Sequence, residues 1–207
     1  MAFNVYVMGD MAKNALTGNL NNLADSGTTI KCALLEVTWT PDQNNHEVFT
    51  ASDWTASTTY SVGDYVVPTT ANGHVYVATA GGDSGSGEPT WPTTDGETVT
   101  DNGVTWECVA DGDLQYYEPS GTGYTAGGAE ITNKSVLQAS GTTTFDGDDV
   151  LWSSSSITAR YGAIYDTGNN KLLAYVDLGS SRTSNSSDFA LNWDTDGIFT
   201  LTVTQAS

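Results

Sequence analysis

The sequence predicts a mainly β protein, an antiparallel β-sandwich or barrel-like scaffold that carries one N-terminal helix. Short runs rich in β-branched and aromatic residues recur along the chain, and clusters of Gly, Asn and Asp separate them. Only one stretch places its apolar residues convincingly at helical spacing. Closely spaced strands joined by short turns are typical of antiparallel sandwiches and barrels.

The predicted helix covers residues 4–17, where the apolar residues fall on one side at helical spacing. They are Val5, Met8, Ala12, Ala15 and Leu16. Gly18 follows as a C-terminal stop. A weaker helical turn is predicted over 42–49, after Pro41, because proline is favoured in the first turn of a helix.

Five further segments outside the middle of the chain are predicted to be strands: 29–37, 157–166, 171–179, 188–194 and 197–204. Phe189, Leu191 and Trp193 alternate with small or polar residues, which is the pattern of a half-buried strand. The compositions of 166–170 (DTGNN) and 194–197 (DTDG) predict hairpin turns.

The middle of the chain, residues 54–113, is rich in Thr, Gly and Asp and holds half of the tryptophans. Short strands are predicted there at 64–68, 74–79 and 103–110. The Gly- and Ser-rich segment 80–89 is expected to be a flexible loop. Because so short a segment with few aliphatic residues cannot build a large core, aromatic rings must fill it.

The charge of the chain is strongly acidic, with 25 Asp and Glu against 6 Lys and Arg and a net charge of -19. Such a surface repels nucleic acid and disfavours anionic membranes. No stretch approaches the roughly 18 apolar residues of a membrane span, and the start of the chain lacks the pattern of a secretory signal, so synthesis in a host cytoplasm is expected.

Cys32 and Cys108 are predicted to be two buried thiols rather than a disulfide.

The chemistry-bearing residues do not form a recognisable catalytic motif, so no catalytic residue and no cofactor is expected. His46 and His74 are the two histidines, and no G-x-S-x-G sequence is present.

The acidic runs 111–113, 146–149 and 194–197 offer oxygen ligands of the type that calcium prefers. Asp-Gly is also ordinary turn chemistry, and Gln205 stands where an EF-hand starting at Asp194 needs Glu, so no metal site is predicted.

The segment 121–128 (GTGYTAGG) resembles a phosphate-binding loop only superficially, because it lacks the Lys-Ser/Thr ending and opens no helix. Its glycines favour a close approach to another surface. We therefore expect an extended arm that makes subunit contacts.

Six aromatic residues of the middle segment are candidates for stacking on sugar rings: Trp54, Tyr60, Tyr65, Tyr76, Trp91 and Trp106. Tyr76 and Trp106 alternate within predicted strands and are expected in the core, and Trp54 and Tyr60 are expected to pack as well. Trp91 and Tyr65 remain as the candidate glycan-binding residues. Outside the segment, Trp39, Trp152 and Trp193 are expected in the core or an interface.

One resemblance covers residues 54 to about 110. It is carried by Trp54, Tyr60, Gly63-Asp64, Val66, Tyr76, Glu88-Pro89, Trp91-Pro92 and Trp106. In this order the residues resemble a small module of tailed-phage structural proteins, which is similar to the chitin-binding carbohydrate-binding modules of families 5 and 12. The long Gly-Ser loop and the EPTWP sequence depart from those chitin binders, so sugar binding does not follow from the resemblance alone.

A second resemblance covers residues 1–53 together with 114–207. It is carried by CALLEV (32–37), HEVFTASD (46–53), SGTGYTAGG (120–128), FDGDDVLWSSSSITARYGAIYD (145–166), LAYVDLG (173–179) and NWDTDGIFTLTV (192–203). These segments resemble a small tailed-phage virion protein. The resemblance implies a discontinuous β scaffold domain, 1–53 plus 114–207, with a carbohydrate-binding-module-like β domain, 54–113, inserted in a surface loop.

Together the resemblances imply a capsid decoration or cement protein, a homotrimer on the outer surface of the virion that binds the major capsid protein. The inserted module projects outward on this hypothesis and is a candidate binder of host-surface or environmental glycan. The alternative hypothesis is a glycan-binding adhesion protein at a tail tip or fibre. An enzyme acting on cell-wall sugar is the third hypothesis, and it has the least support from the residues.

Overall fold

The computed structural model describes residues 3–11 and 22–202, and the chain is mainly β over these ranges. The strands, numbered in chain order, are β1 (Asn4–Val7), β2 (Ile30–Leu35), β3 (Ser52–Asp53), β4 (Thr59–Tyr60), β5 (Tyr65–Val67), β6 (Val75–Ala80), β7 (Gly82–Asp83), β8 (Thr98–Asp101), β9 (Val104–Val109), β10 (Ala129–Glu130), β11 (Ser135–Ala139), β12 (Thr142–Asp146), β13 (Val150–Ser155), β14 (Thr158–Asp166), β15 (Lys171–Thr183), β16 (Ser187–Leu191) and β17 (Phe199–Thr202). One 3-10 helix covers Leu114–Tyr117. None of the helical segments in the described ranges has the length and apolar character that crossing a membrane requires.

The chain divides into two compact units. The scaffold unit combines both ends of the chain, Met1–Thr38 and Glu118–Ser207, and the inserted unit is the continuous segment Trp39–Tyr117. The inserted unit is longer at both ends than the predicted module 54–113. Two contacts explain the extension: Val48 packs in a cluster with strand residues of this unit, and the Leu114 N–H donates to the Phe49 carbonyl at 2.9 Å.

The scaffold unit contains three sheets with antiparallel pairing among the described strands. Their strand orders are β1-β15-β14-β2-β10, β11-β12-β17 and β13-β16. Residues of all three sheets share one hydrophobic core, including Leu34, Phe145, Trp152, Ile164, Leu173 and Phe189. The long strands β14 and β15 coincide with the predicted segments 157–166 and 171–179, with β15 continuing to Thr183, so these strand predictions are confirmed.

The two predicted hairpin turns have different outcomes. At 166–170 the turn joins β14 to β15, and the Asp166 carboxylate accepts the Gly168 N–H at 2.9 Å. At 194–197 the chain does turn, with the Gly197 N–H donating to the Asp194 carbonyl at 3.0 Å. The flanking strands do not form a hairpin, however, because β16 pairs with β13 and β17 pairs with β12. The composition of a turn therefore predicts that the chain reverses direction there, but it does not predict which strands pair.

The predicted N-terminal helix is wrong over residues 4–7, which form strand β1 and pair with β15. Residues 12–17 of that prediction lie outside the described residues, so the helix is not confirmed. Val5 and Met8 fit helical spacing, whereas Val5 and Val7 fit strand alternation, and the long-range pairing with β15 decides in favour of the strand. The weaker prediction over 42–49 reduces to a single turn, in which the His46 N–H donates to the Asp42 carbonyl at 3.2 Å.

The inserted unit is built on the sheet β3-β5-β6-β9-β8, with β4 and β7 as a separate pair. The pairing of β3 with β5 is parallel, and the others are antiparallel. Alternation along the strands gives the sheet two apolar faces. One face holds Trp54, Val66, Tyr76, Ala78, Val104, Trp106 and Cys108, and the other holds Val48, Val67, Val75 and Val109.

The prediction of a flexible loop over 80–89 is wrong, because specific contacts hold this segment in place. It contains β7, which pairs with β4. Ser84 is buried and donates its hydroxyl to the Thr55 carbonyl at 2.8 Å. A side chain at Gly82 would collide with the backbone of Gly103, so glycine here serves close packing rather than flexibility.

Candidate functional site

The candidate site is the group of aromatic rings on the first face of the inserted unit. Trp106 lies at its centre and is fully buried, and Tyr76 is fully buried beside it, which confirms both core predictions. The Tyr60 ring meets Trp106 edge-on at 4.9 Å, and the Trp91 ring meets it at 6.1 Å. Tyr60 and Trp91 are half-buried, so they flank the central ring at the border between core and solvent.

A buried carboxylate fixes two of the indoles in this cluster. Asp101 Oδ2 accepts the Nε1–H of Trp54 at 2.8 Å and that of Trp106 at 3.2 Å. Its Oδ1 accepts the N–H of Gly85 at 2.7 Å. Trp54 is 6% exposed, so its predicted packing role is confirmed. The importance of Asp101 was not visible in a sequence with so many acidic residues.

Trp91, the first candidate glycan-binding residue, is held in one orientation. Its ring lies 4.3 Å from Tyr76 at an interplanar angle of 37°, and its Nε1–H donates to Glu88 Oε1 at 2.9 Å. Burial alone would raise the pKa of Glu88, but the hydrogen bonds from Thr69 and Trp91 outweigh it, so the pKa lies below its ordinary value. An ionised carboxylate therefore orients the indole at neutral pH.

The neighbouring segment is anchored as well. The Tyr76 hydroxyl donates to the Pro92 carbonyl at 2.7 Å and accepts from Asn72 Nδ2 at 2.8 Å. Burial raises the pKa of Tyr76 to about 12, so this hydroxyl keeps its proton. Trp91 is thus a pre-oriented, half-exposed ring rather than a mobile one, which is the form of aromatic residue that can stack on a flat ligand at low entropic cost.

Tyr65, the second candidate, lies elsewhere. It is half-buried and packs on the second face of the sheet, beside the cluster that contains Val67. Because neighbouring residues of a strand point to opposite faces, Val66 joins the Trp106 cluster while Tyr65 does not. The structure therefore does not bring Trp91 and Tyr65 into one site. Tyr76 and Glu88 are the residues that contact Trp91 instead.

Both histidines lie in the inserted unit and accept hydrogen bonds from the backbone. His46 is 3% exposed; its Nδ1 accepts the Asp42 N–H at 3.3 Å and its Nε2 lies 2.9 Å from the Ala110 carbonyl, to which it donates in the neutral form. His74 Nδ1 accepts the Asp111 N–H at 3.0 Å. Burial lowers the pKa of both imidazoles, and nearby hydrogen bonds and carboxylates oppose the effect. Both nitrogens of His46 are thus occupied with structural bonds.

The Gly-rich segment 121–128 contacts its own unit. Side chains at Gly121 and Gly128 would collide with the backbone at Ser156 and Cys32. The Tyr124 hydroxyl accepts the Leu34 N–H at 3.0 Å and donates to the Glu118 carboxylate. The expected close approach is therefore present against the scaffold unit's own residues, and the expected subunit contacts stay a prediction.

The acidic runs hold loops together. Asp148 accepts from the Thr132 hydroxyl at 2.7 Å, and Asp149 accepts from the Trp193 N–H at 2.8 Å. Over residues 3–11 and 22–202, no group of three or more His, Cys, Asp and Glu side chains is placed to hold a metal ion. These contacts give the carboxylates a role in turns.

The remaining tryptophans are packed. Trp152 is 4% exposed in the scaffold core, and Trp193 is half-buried with its ring 5.7 Å from Phe3. Trp39 is 1% exposed and belongs to the inserted unit, where its Nε1–H donates to the Asp111 carbonyl at 3.0 Å. The sequence grouped Trp39 with the scaffold.

No protein-family model, no curated protein and no solved structure matches this chain. The structure itself defines the chain as a mainly β protein of two compact units, one of which carries a cluster of oriented aromatic rings.

Proposed function

We propose that this chain is a structural protein of a tailed-phage virion, a capsid decoration or cement protein that bridges neighbouring major capsid subunits. The resemblance of residues 1–53 and 114–207 to a small virion protein motivates the proposal. The observation that carries it furthest is the division of the chain, in which a continuous compact unit interrupts a scaffold made from both chain ends. An antiparallel sandwich or barrel-like scaffold of this kind offers a stable surface for binding a lattice.

The chain leaves and re-enters the scaffold unit at one place, since Glu36 and Pro119 line the same small cavity. An insertion at such a point costs the scaffold little, because loop-closure entropy grows slowly with length. On this proposal the scaffold unit binds the outer surface of the shell, and the inserted unit faces the surroundings. Binding only to the assembled lattice would stabilise the shell by mass action.

Two phage variants test the proposal: one without the coding sequence for this chain, and one in which residues 39–117 are replaced by a short Gly-Ser linker. We expect virions without the chain to lose infectivity at lower temperature, and virions with the shortened chain to keep near-normal heat tolerance. An image reconstruction should show many copies over the shell. Unchanged heat tolerance without the chain, or density confined to a single vertex, would overturn the proposal.

A second candidate function, glycan binding by the inserted unit, is favoured by the fixed and half-exposed ring of Trp91. A glycan array and a chitin pull-down with the full chain test it. Trp91→Ala should abolish retention, whereas Tyr65→Ala, which removes a half-buried ring from the opposite face, should leave it unchanged. Equal loss in both variants, or no retention of the unmodified chain, would remove this candidate.

A further inference from the structure

The strand β11 presents an exposed and uncharged edge. Among the described strands it pairs with β12 alone. Leu137 is 68% exposed and Val136 is 39% exposed, and no residue of Ser135–Ala139 carries a charge. Edge strands are commonly protected by lysine, proline or a covering segment, and β11 itself contains neither residue. Such an edge is a template for pairing with another strand.

The sheet behind this edge continues the same surface. Residues directly opposite one another in antiparallel strands point to the same side, so the register defines one face. It consists of Ser135, Leu137, Ala139, Thr142, Thr144, Asp146, Thr200 and Thr202. Phe145 and Phe199 lie on the other face and belong to the core. The outer face therefore carries one charge, on Asp146 opposite Ser135, and is otherwise rich in methyl groups, with exposed Leu137 on the edge strand.

The charge of the chain indicates which partner fits this edge. Two copies that each carry a net charge of -19 repel one another at long range. Contact between copies is favoured where neither contributes charge, and no charged residue lies between Lys134 and Asp146. A basic partner would instead be attracted to the acidic remainder of the surface. The observations thus favour a second copy of this chain as the occupant.

We propose that β11 pairs in antiparallel orientation with β11 of a second copy, around a two-fold axis at Leu137. In this register Ser135 lies opposite the second copy's Ala139, and Val136 lies opposite its Gln138. The pairing joins two three-stranded sheets into one sheet of six strands and brings the two Leu137 side chains together. An interface of this kind is isologous and closes as a dimer.

The proposed pairing does not depend on the proposed function, and it differs from the homotrimer implied by the family resemblance. Only five residues of each copy pair, so the contact is smaller than the roughly 1,200 Å² typical of stable complexes. We therefore expect weak association, with a dissociation constant in the micromolar to millimolar range. Affinity should rise with salt, because the Debye length falls from about 30 Å at about 0.01 M to about 3 Å at about 1 M.

Sedimentation equilibrium of the full chain over a concentration series, at low and high salt, tests the pairing. We expect a monomer–dimer equilibrium that tightens with salt. Leu137→Lys should weaken it about a hundredfold, since each of the two leucines contributes roughly tenfold. The matched control is Leu151→Lys, which changes a leucine that is 53% exposed on β13 and should leave the dimer unchanged.

Two further measurements guard against an effect on folding. Circular dichroism should show the same β content for both lysine variants, and Gln138→Lys should weaken the dimer as well. Amide hydrogen exchange of Ser135–Ala139 should slow as concentration rises. A monomer at all concentrations, a trimer, association that weakens with salt, or equal effects of Leu137→Lys and Leu151→Lys would each overturn the proposal.

Discussion

The indole N–H of Trp54 donates to the carboxylate of Asp101 at 2.8 Å, and both side chains are buried. The two residues lie 47 positions apart in the sequence. Trp106 and the backbone of Gly85 donate to the same carboxylate, so three N–H groups compensate the cost of burying it. This carboxylate links the aromatic cluster to two loops of the inserted unit.

Replacing Asp101 with Asn should destabilise the inserted unit by about 3 kcal/mol, because the new NH₂ group faces N–H donors and leaves them unsatisfied in the core. Urea unfolding followed by tryptophan fluorescence measures the change. Asp95→Asn removes the same charge from an exposed side chain and should change stability by less than about 0.5 kcal/mol. Similar losses in the two variants would mean that charge rather than hydrogen bonding matters.

The fold was predictable for segments whose side chains are mostly buried. Apolar runs predicted β2, β14 and β15, and the shortage of aliphatic residues correctly placed Tyr76 and Trp106 in the core. Short strands such as β10 and β12 could not be predicted because they contain few apolar residues and gain strand structure by pairing with distant partners.

The candidate site was predictable only in part. Trp91 could be named as a candidate from the sequence, but Glu88 and Asp101 give no signal among 25 acidic residues. The sequence leaves both Tyr65 and Trp91 as candidates, and the structure separates them, with Trp91 packed against the Trp106 cluster and Tyr65 against the Val67 cluster.

Lowering the pH below about 6.5, the ordinary pKa of histidine, should destabilise the inserted unit. His46 and His74 have lowered pKa values because burial disfavours their charged forms, so the unfolded chain binds protons that the folded chain does not. Stability is therefore fully present above that pH and is lost as pH falls toward the folded pKa. Protonated Nδ1 of His46 would also face the Asp42 N–H that it now accepts.

Urea unfolding at a series of pH values measures this dependence, and four of the six tryptophans, Trp39, Trp54, Trp91 and Trp106, report on the inserted unit. His46→Gln should reduce the loss of unfolding free energy as the pH falls. Burial raises the pKa of Asp113, which acts with the opposite sign and stabilises the fold as pH falls, so Asp113→Asn should steepen it. A slope that is the same in both variants would exclude His46 as its source.

Gly128→Ala should destabilise the scaffold unit by about 3 kcal/mol or more, because a Cβ there overlaps the backbone of Cys32 and Ala33 at a φ of +70°. Gly179 has a φ of +77° with open space around its Cβ position. Gly179→Ala therefore isolates the backbone cost, about 1 kcal/mol. Thermal unfolding compares the two, and equal losses would show that the close contact of the Gly-rich segment contributes nothing.

Neither cysteine should react with a thiol reagent in the folded protein at about pH 8, where an exposed cysteine is partly ionised. Burial raises the pKa of Cys32 to about 12 and that of Cys108 to about 11, and both are buried free thiols. Two thiols should react once urea unfolds the chain. Val62→Cys places a thiol where the native side chain is 68% exposed, so that variant should react at once while folded. Rapid labelling of the unmodified folded chain would contradict the buried positions of Cys32 and Cys108.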